Sequence, residues 1–326
     1  MRARQPTLLF VVLMTSLVVY QVVRQLYDPY WQALADTSFG ILSGTPDWLA
    51  YQNRLLAPYL ISLISLTGIS QVSALKVFVL LAVTAQNFLL FFLLQKSKAA
   101  GRTAAVGVLA FSLMFLFIQE YSLYPWDFVD LILFSLFAWG VFARKPLFYF
   151  VILFFVTILN RESALFISLF MMFDAFEFSG SAPSSGKPIL KSKAKLVTGL
   201  LLTLAGILYV TAVRQFLFVS QPGGFSDSRH EWLGNHFNLP ENLSALFIEN
   251  LSNLHILNSL FLLGSTAYVF SFARREWKAV LLYAAMVVNI LIFGVVNENR
   301  LYGILLPFLV FFIFVAGDFE RSNQPN

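Results

Sequence analysis

Cysteine is absent, histidine occurs three times, and charged residues make up 12% of the 326-residue chain. The first absence removes disulfides, thiolate nucleophiles and cysteine-ligated metals together. The scarcity of charge says more, since a soluble domain carries about 25%. With 58% hydrophobic residues, the chain cannot cover a soluble surface. That excludes a cytosolic enzyme, a secreted domain and a disordered protein. Mean hydropathy is +0.74 and phenylalanine alone contributes 36 residues, as expected where side chains face lipid. The composition predicts an all-α, polytopic transmembrane helical bundle, with residues 1–326 as a single membrane domain. The net charge of +5 is not taken as a sign of nucleic-acid binding, because in such a chain the placement of basic residues matters more than their sum.

Arg2 and Arg4 precede an apolar run from Thr7 to Tyr20. A signal peptide would follow that run with small residues at a cleavage site. Val22-Val23-Arg24-Gln25-Leu26 stands there instead, so the segment reads as an uncleaved first span. Stretches suited to crossing ~30 Å of hydrocarbon lie near 7–26, 71–95, 103–121, 127–143, 146–160, 162–178, 196–219, 254–272, 279–296 and 300–316. The run 55–69 is short, contains Pro58, and is bracketed by Arg54 and Gly68. Charge decides its treatment. If 55–69 does not cross, the Arg2/Arg4 side holds 15 of the 22 basic residues and five of the 17 acids. The opposite side then holds seven basic residues and twelve acids. A crossing there would turn every later basic loop outward. The expectation is therefore ten spans, both termini cytoplasmic, and 55–69 as a re-entrant or interfacial helix. The inner connection 180–195, rich in Gly, Ser, Pro and Lys, reads as a flexible basic linker.

Residues that do not belong in lipid gather on the outer side. The first outer loop, 27–54, holds Asp28, Asp36 and Asp47 among tyrosines and tryptophans. Tyr124-Pro125-Trp126-Asp127 leads into a span on which Asp127 and Asp130 share a helix face at i, i+3. Asn160-Arg161-Glu162-Ser163 and Asn297-Glu298-Asn299-Arg300 open two more spans. The loop 220–253 adds His230, His236 and sequons at Asn242 and Asn250. Ionisable groups at membrane depth are costly, so they mark a functional site or a mutual pair. Helix capping competes as an explanation of the two Asn-led turns, although a cation such as Arg161 opposes the dipole at a helix start. The Tyr124–Asp127 motif equally fits an aromatic-belt turn with Pro near N1, and the first-loop aromatics fit interfacial anchors. The two loop histidines do not make a metal site. A divalent cation is compatible with the outer acids, but no ligand spacing identifies one.

Carboxylates, arginines and aromatics on one membrane face suit a reaction on a lipid-linked phosphate. A phosphate leaving group needs fixed cations, and arginine offers the bidentate fork that fits it; Arg24, Arg54, Arg161, Arg229 and Arg300 are the outer candidates. A sugar or alcohol acceptor needs a general base, and an Asp of the first loop is placed to take its proton. Aromatic rings stack on sugar faces, and a re-entrant 55–69 would leave a groove for a polyprenyl chain.

This arrangement resembles the GT-C superfamily of integral membrane glycosyltransferases, especially its smaller bacterial members. The matching features are the acidic first outer loop, Asn53-Arg54-Leu55-Leu56-Ala57-Pro58, Tyr124-Pro125-Trp126-Asp127, Asn160-Arg161-Glu162 and Glu298-Asn299-Arg300. In topology the likeness covers nearly the whole chain; in motif it rests on about twenty residues. It implies an enzyme of the bacterial plasma (inner) membrane. Such an enzyme takes sugar from a polyprenyl-phosphate donor on the outer leaflet and inverts the anomeric centre, passing it to a glycan, lipid or protein acceptor. The family signature is an acidic residue, often an adjacent pair, in the first outer loop. Asp28 and Asp36 fit as catalytic candidates, but seven residues separate them, which leaves the base open between the two. Arg54, Arg161 and Arg300 are the expected donor-phosphate residues. Asp127, Asp130, Glu162, Glu298, Tyr124 and Trp126 are the expected supporting and orienting ones. The C-terminal outer domain of larger members is absent from this sequence. An outer-leaflet polysaccharide polymerase or ligase would use the same ingredients. A transporter or a non-enzymatic assembly protein is the rival from another class; transporters show repeated halves, and none is visible here.

Overall fold

The computed structural model describes residues 5–46, 51–97, 99–119, 123–178, 188–214, 237–253 and 255–316. Arg2, Arg4, Asp47, Arg229, His230 and His236, named above, lie outside them. The helices are α1 (Gln5–Leu26), α2 (Trp31–Leu42), α3 (Leu56–Ser65), α4 (Gln71–Lys96), α5 (Gly101–Phe117), α6 (Pro125–Phe142), α7 (Leu147–Ile158), α8 (Leu165–Asp174), α9 (Lys193–Ala212), α10 (Leu239–Phe247), α11 (Ile256–Phe270), α12 (Trp277–Phe293) and α13 (Leu305–Phe311). A helical bundle is what the composition predicts.

Among the described residues five helices are long and apolar enough to cross a membrane: α1, α4, α6, α9 and the composite Asn299–Ala316 that includes α13. The remaining expected crossings are shorter. The stretches 146–160 and 162–178 form helices of 12 and 10 residues, about 18 and 15 Å at 1.5 Å per residue. Between them Arg161 takes an extended backbone conformation and Glu162–Ala164 a single 3-10 turn. The polar Asn160–Ser163 turn thus interrupts the apolar run more deeply than the sequence suggests.

Two expectations are corrected at the other end of α8. The stretch 162–178 is not helical to its end, and the described part of 180–195 forms a strand and the start of α9. Phe176–Phe178 (β1) pairs antiparallel with Pro188–Leu190 (β2), Phe176 facing Leu190. Ser192 then caps α9 by accepting from the Lys195 amide. The sequence signal missed here is the pair of short β-prone runs that flank the Gly/Ser segment.

Packing explains the central position of α4, which contacts α1, α3, α5 and α6. Its buried amides tie those neighbours together: Asn87 donates to Ser16 on α1 and accepts from Ser112 on α5, and Gln86 donates to Ser135 on α6. Lipid supplies no hydrophobic drive for helix association, so hydrogen bonds and close fit carry more of it. Phenylalanine also builds the interior: Phe137 meets Phe150, Phe170 and Phe308 edge-on at 5.3–6.2 Å, and all four are buried. The 55–69 segment is the ten-residue α3, whose start is anchored where the Leu55 and Leu56 amides donate to the Leu159 carbonyl.

α8 and α9 pack extensively against each other, and Gly199 permits it. A Cβ there would meet the Ser168 carbonyl at 2.9 Å and the Met172 amide at 3.2 Å. Backbone cannot yield, so Gly199→Leu is expected to lose about 1–3 kcal/mol by overpacking, outweighing the ~1 kcal/mol gain in helix propensity. Gly264 on α11 has nothing within 4 Å. Gly264→Ala is expected to leave Tm unchanged or raise it, so thermal unfolding in detergent should show a lowered Tm for Gly199→Leu only.

Candidate functional site

The polar turns meet at one end of the bundle. At the start of α6, Pro125 occupies the first turn, where its missing N–H is harmless, and Asp127 accepts from the Tyr124 amide at 2.9 Å. That fixes Asp127 and, one turn on, Asp130 facing inward; both are buried. From the α7–α8 turn Arg161 reaches Asp127 at 3.0 Å and Asp130 at 3.5 Å. Asn160, wholly buried, donates to the Trp126 carbonyl and to Asp130, each at 2.8 Å. Its side chain therefore bridges to α6, and the capping explanation of the Asn160–Ser163 turn fails. Before α13, Arg300 pairs with Glu298 and lies 3.9 Å from Asp127.

A second group adjoins the first. Glu162 faces Arg54 at 3.7 Å and Arg214 at 3.9 Å and accepts from Asn53 at 2.9 Å. Arg214 also donates to Asn53. Here two guanidinium groups share one carboxylate, a local excess of positive charge. In the first group Arg161 and Arg300 face three carboxylates. An aromatic stack joins the groups. Tyr124 and Trp126 are parallel at 4.7 Å, and Tyr51 closes on Trp126 at 4.8 Å. The Arg54 guanidinium sits over Tyr51 and Trp126 at 4.7 and 4.9 Å, and that of Arg300 over Tyr124 at 4.9 Å. Cations over ring faces are held by the quadrupole.

Arg54 is 4% exposed, yet its Nε and Nη1 find no hydrogen-bond partner among the described residues. The same holds for Arg214 Nε, Arg300 Nη1 and Trp126 Nε1. Buried unsatisfied donors cost about 1–3 kcal/mol each, more when charged, so five of them in one place point to a ligand rich in acceptors. Burial, then the like charge of Arg161, lower the Arg54 guanidinium to about 10, with Glu162 opposing. It stays protonated at neutral pH, and a nearby anion would relieve it. Burial and a hydrogen bond to Tyr124 push the Tyr51 phenol up, keeping it a neutral donor.

Arg54, Arg161, Arg300, Asp127, Asp130, Glu162, Glu298, Tyr124 and Trp126 are thus brought together. Asp28 and Asp36 are not: both are exposed, and Asp36 accepts from Gln32 on the outer face of α2. No ion pair or hydrogen bond joins either to the cluster among the described residues. Sequence reasoning missed Arg214, which falls within the apolar stretch 196–219; a lone arginine in such a run was the available signal. It also missed Tyr51 as a member of the stack. Tyr27 of the first loop is structural: it is wholly buried, with its hydroxyl donating to Gln119 and accepting from the Leu123 amide. The sequon asparagines are structural too. Asn242 donates to the Leu291 and Gly294 carbonyls, and Asn250 donates to Ser259 and Asn297. Among the described residues no three His, Asp or Glu side chains are grouped to hold a metal ion. No protein-family model, curated protein or solved structure matches the chain.

Proposed function

We propose that this chain is an integral membrane glycosyltransferase of GT-C type. In this reading it uses a polyprenyl-phosphate-linked sugar donor on the outer leaflet and passes the sugar, with inversion, to a glycan, lipid or protein acceptor. The observation that carries the reading is the convergence of four arginines around an aromatic stack, with Arg54 buried and two of its donors unpartnered. A departing phosphate is the acceptor-rich group such a site suits. Arg54 and Arg300 would neutralise it as the glycosidic bond breaks, with Arg214 and Arg161 holding the carboxylates that position them. The aromatic stack offers a platform for sugar rings. Ten spans would put this end outside and the lysine-rich end in the cytoplasm.

The base is a separate matter of chemistry. Glu162, shared by two guanidinium groups and Asn53, serves as their counter-ion rather than as a base. Asp28 and Asp36 carry no arginine partner among the described residues and remain the candidates for deprotonating the acceptor hydroxyl. The test is Asp28→Asn and Asp36→Asn, scored for protein level and outer-leaflet glycan. One of the two is expected to lose glycan at normal expression, by at least the ~10²-fold typical of a lost general base. Full glycan in both variants and in Arg54→Gln would refute the enzyme reading. A polymerase or ligase would show the same losses and differ in acceptor.

A further inference from the structure

At the opposite end of the bundle a cavity of about 520 Å³ opens between α6, α7, α8, α9 and α12. α6 separates it from the arginine cluster by its 18 residues, about 27 Å. The floor is apolar, with Val141, Phe150, Phe170 and Ala279; the walls carry six basic residues against three acids. Asp174 holds two ammonium groups at once, Lys195 at 2.5 Å and Lys278 at 2.6 Å, so a positive charge is left over at that wall. Lys191 pairs with Glu177 at the rim, and Arg275 with Glu276. Arg144 makes no ion pair within 4 Å among the described residues; its charge is felt more distantly by Glu276.

Arg144 also stands where its backbone favours glycine. α6 ends in a full Schellman motif: the Lys145 amide donates to the Gly140 carbonyl at 2.9 Å and the Arg144 amide to Val141 at 3.2 Å. The C′ residue of that motif is left-handed and is usually Gly. Here it is Arg144, with φ +51°, the sole non-glycine at positive φ among the described residues. An arginine thus stands where glycine would relax the chain, and it lines the cavity.

We infer that this cavity binds a phosphate ester, the phosphate on Arg144, Lys195 and Lys278 and the organic part on the Phe150–Phe170 floor. The ester would be either a lipid headgroup or a soluble molecule. The inference does not depend on the proposed transferase activity. Guanidinium and ammonium groups with spare donors match phosphate oxygens, and Asp174 keeps the two lysines side by side.

The test uses the full chain in nanodiscs of zwitterionic lipid titrated with inorganic pyrophosphate, and a second preparation containing phosphatidylglycerol. For a soluble ester, Arg144→Gly should weaken one pyrophosphate site tenfold or more. Arg54→Gln should leave that site unchanged, since it acts at the other end. For a lipid headgroup, phosphatidylglycerol should raise the Tm of the wild type and not that of Arg144→Gly. Arg144→Gly should itself fold with an undiminished Tm, because glycine suits φ +51°; Lys191→Gln, at the exposed rim, is the second variant and should weaken binding less. If Arg144→Gly matches the wild type against both probes, the inference is wrong. Loss of pyrophosphate binding in Arg54→Gln alone would support the arginine site and reject this one.

Discussion

Arg161→Ala is expected to destabilise the protein by about 3–5 kcal/mol, the cost of leaving a buried charge without its partner. Arg161 faces two carboxylates at 3.0 and 3.5 Å. All three side chains are largely buried, at 14% exposure for Arg161 and 5% and 4% for Asp127 and Asp130. Removing the guanidinium leaves Asp130 with only Asn160, and leaves Asp127 with the Tyr124 amide and the more distant Arg300. The variant should show a strongly lowered Tm and poor yield. Adding Asp130→Asn should recover part of the loss, because one of the two stranded charges disappears. Equal Tm for Arg161→Ala and wild type would mean that the pairs are solvated and of little energetic consequence.

Arg54→Gln should do the reverse, abolishing function while sparing the fold. Two of its nitrogen donors have no partner among the described residues, and Glu162 keeps Arg214 and Asn53. Stability is therefore expected within about 1 kcal/mol of wild type, in line with the low net value of a costly buried cation. If Arg54 meets the departing phosphate, transfer should fall on the order of 10²–10³-fold, the scale for one preorganised donor at developing charge. Sugar transfer from a polyprenyl-phosphate donor, measured beside a thermal melt, separates the two effects. A folded Arg54→Gln with full transfer would remove Arg54 from the chemistry. Arg54→Lys should not restore the rate, since an ammonium lacks the planar fork and stacks poorly between Tyr51 and Trp126.

Much of this site was legible because charge is so rare in the chain. In a soluble protein Arg161 or Glu298 would be two among many surface residues. Here most ionisable groups outside the basic loops stand out, and nine of the expected residues converge. Periodicity added the shared face of Asp127 and Asp130. What the sequence concealed follows from how it was segmented. Arg214 was absorbed into an apolar stretch because hydropathy averages over a window. Tyr51 was indistinguishable from an interfacial anchor, since aromatic belts and aromatic stacks draw on the same residues. The short α7 and α8 went unforeseen because apolar runs continue through a turn whose backbone leaves the helix at Arg161. Asp28 and Asp36 rested on a family likeness rather than on local chemistry, and they are the expected residues that do not join the cluster.

The most direct test of the central claim is mass spectrometry of lipid co-purified with the wild-type protein and with Arg54→Gln. A polyprenyl phosphate, free or carrying a sugar, should accompany the wild type and be depleted at least tenfold in the folded variant. Its absence from wild-type protein loaded with excess polyprenyl phosphate, or equal retention by Arg54→Gln, would contradict the assignment of this cluster as a donor-phosphate site.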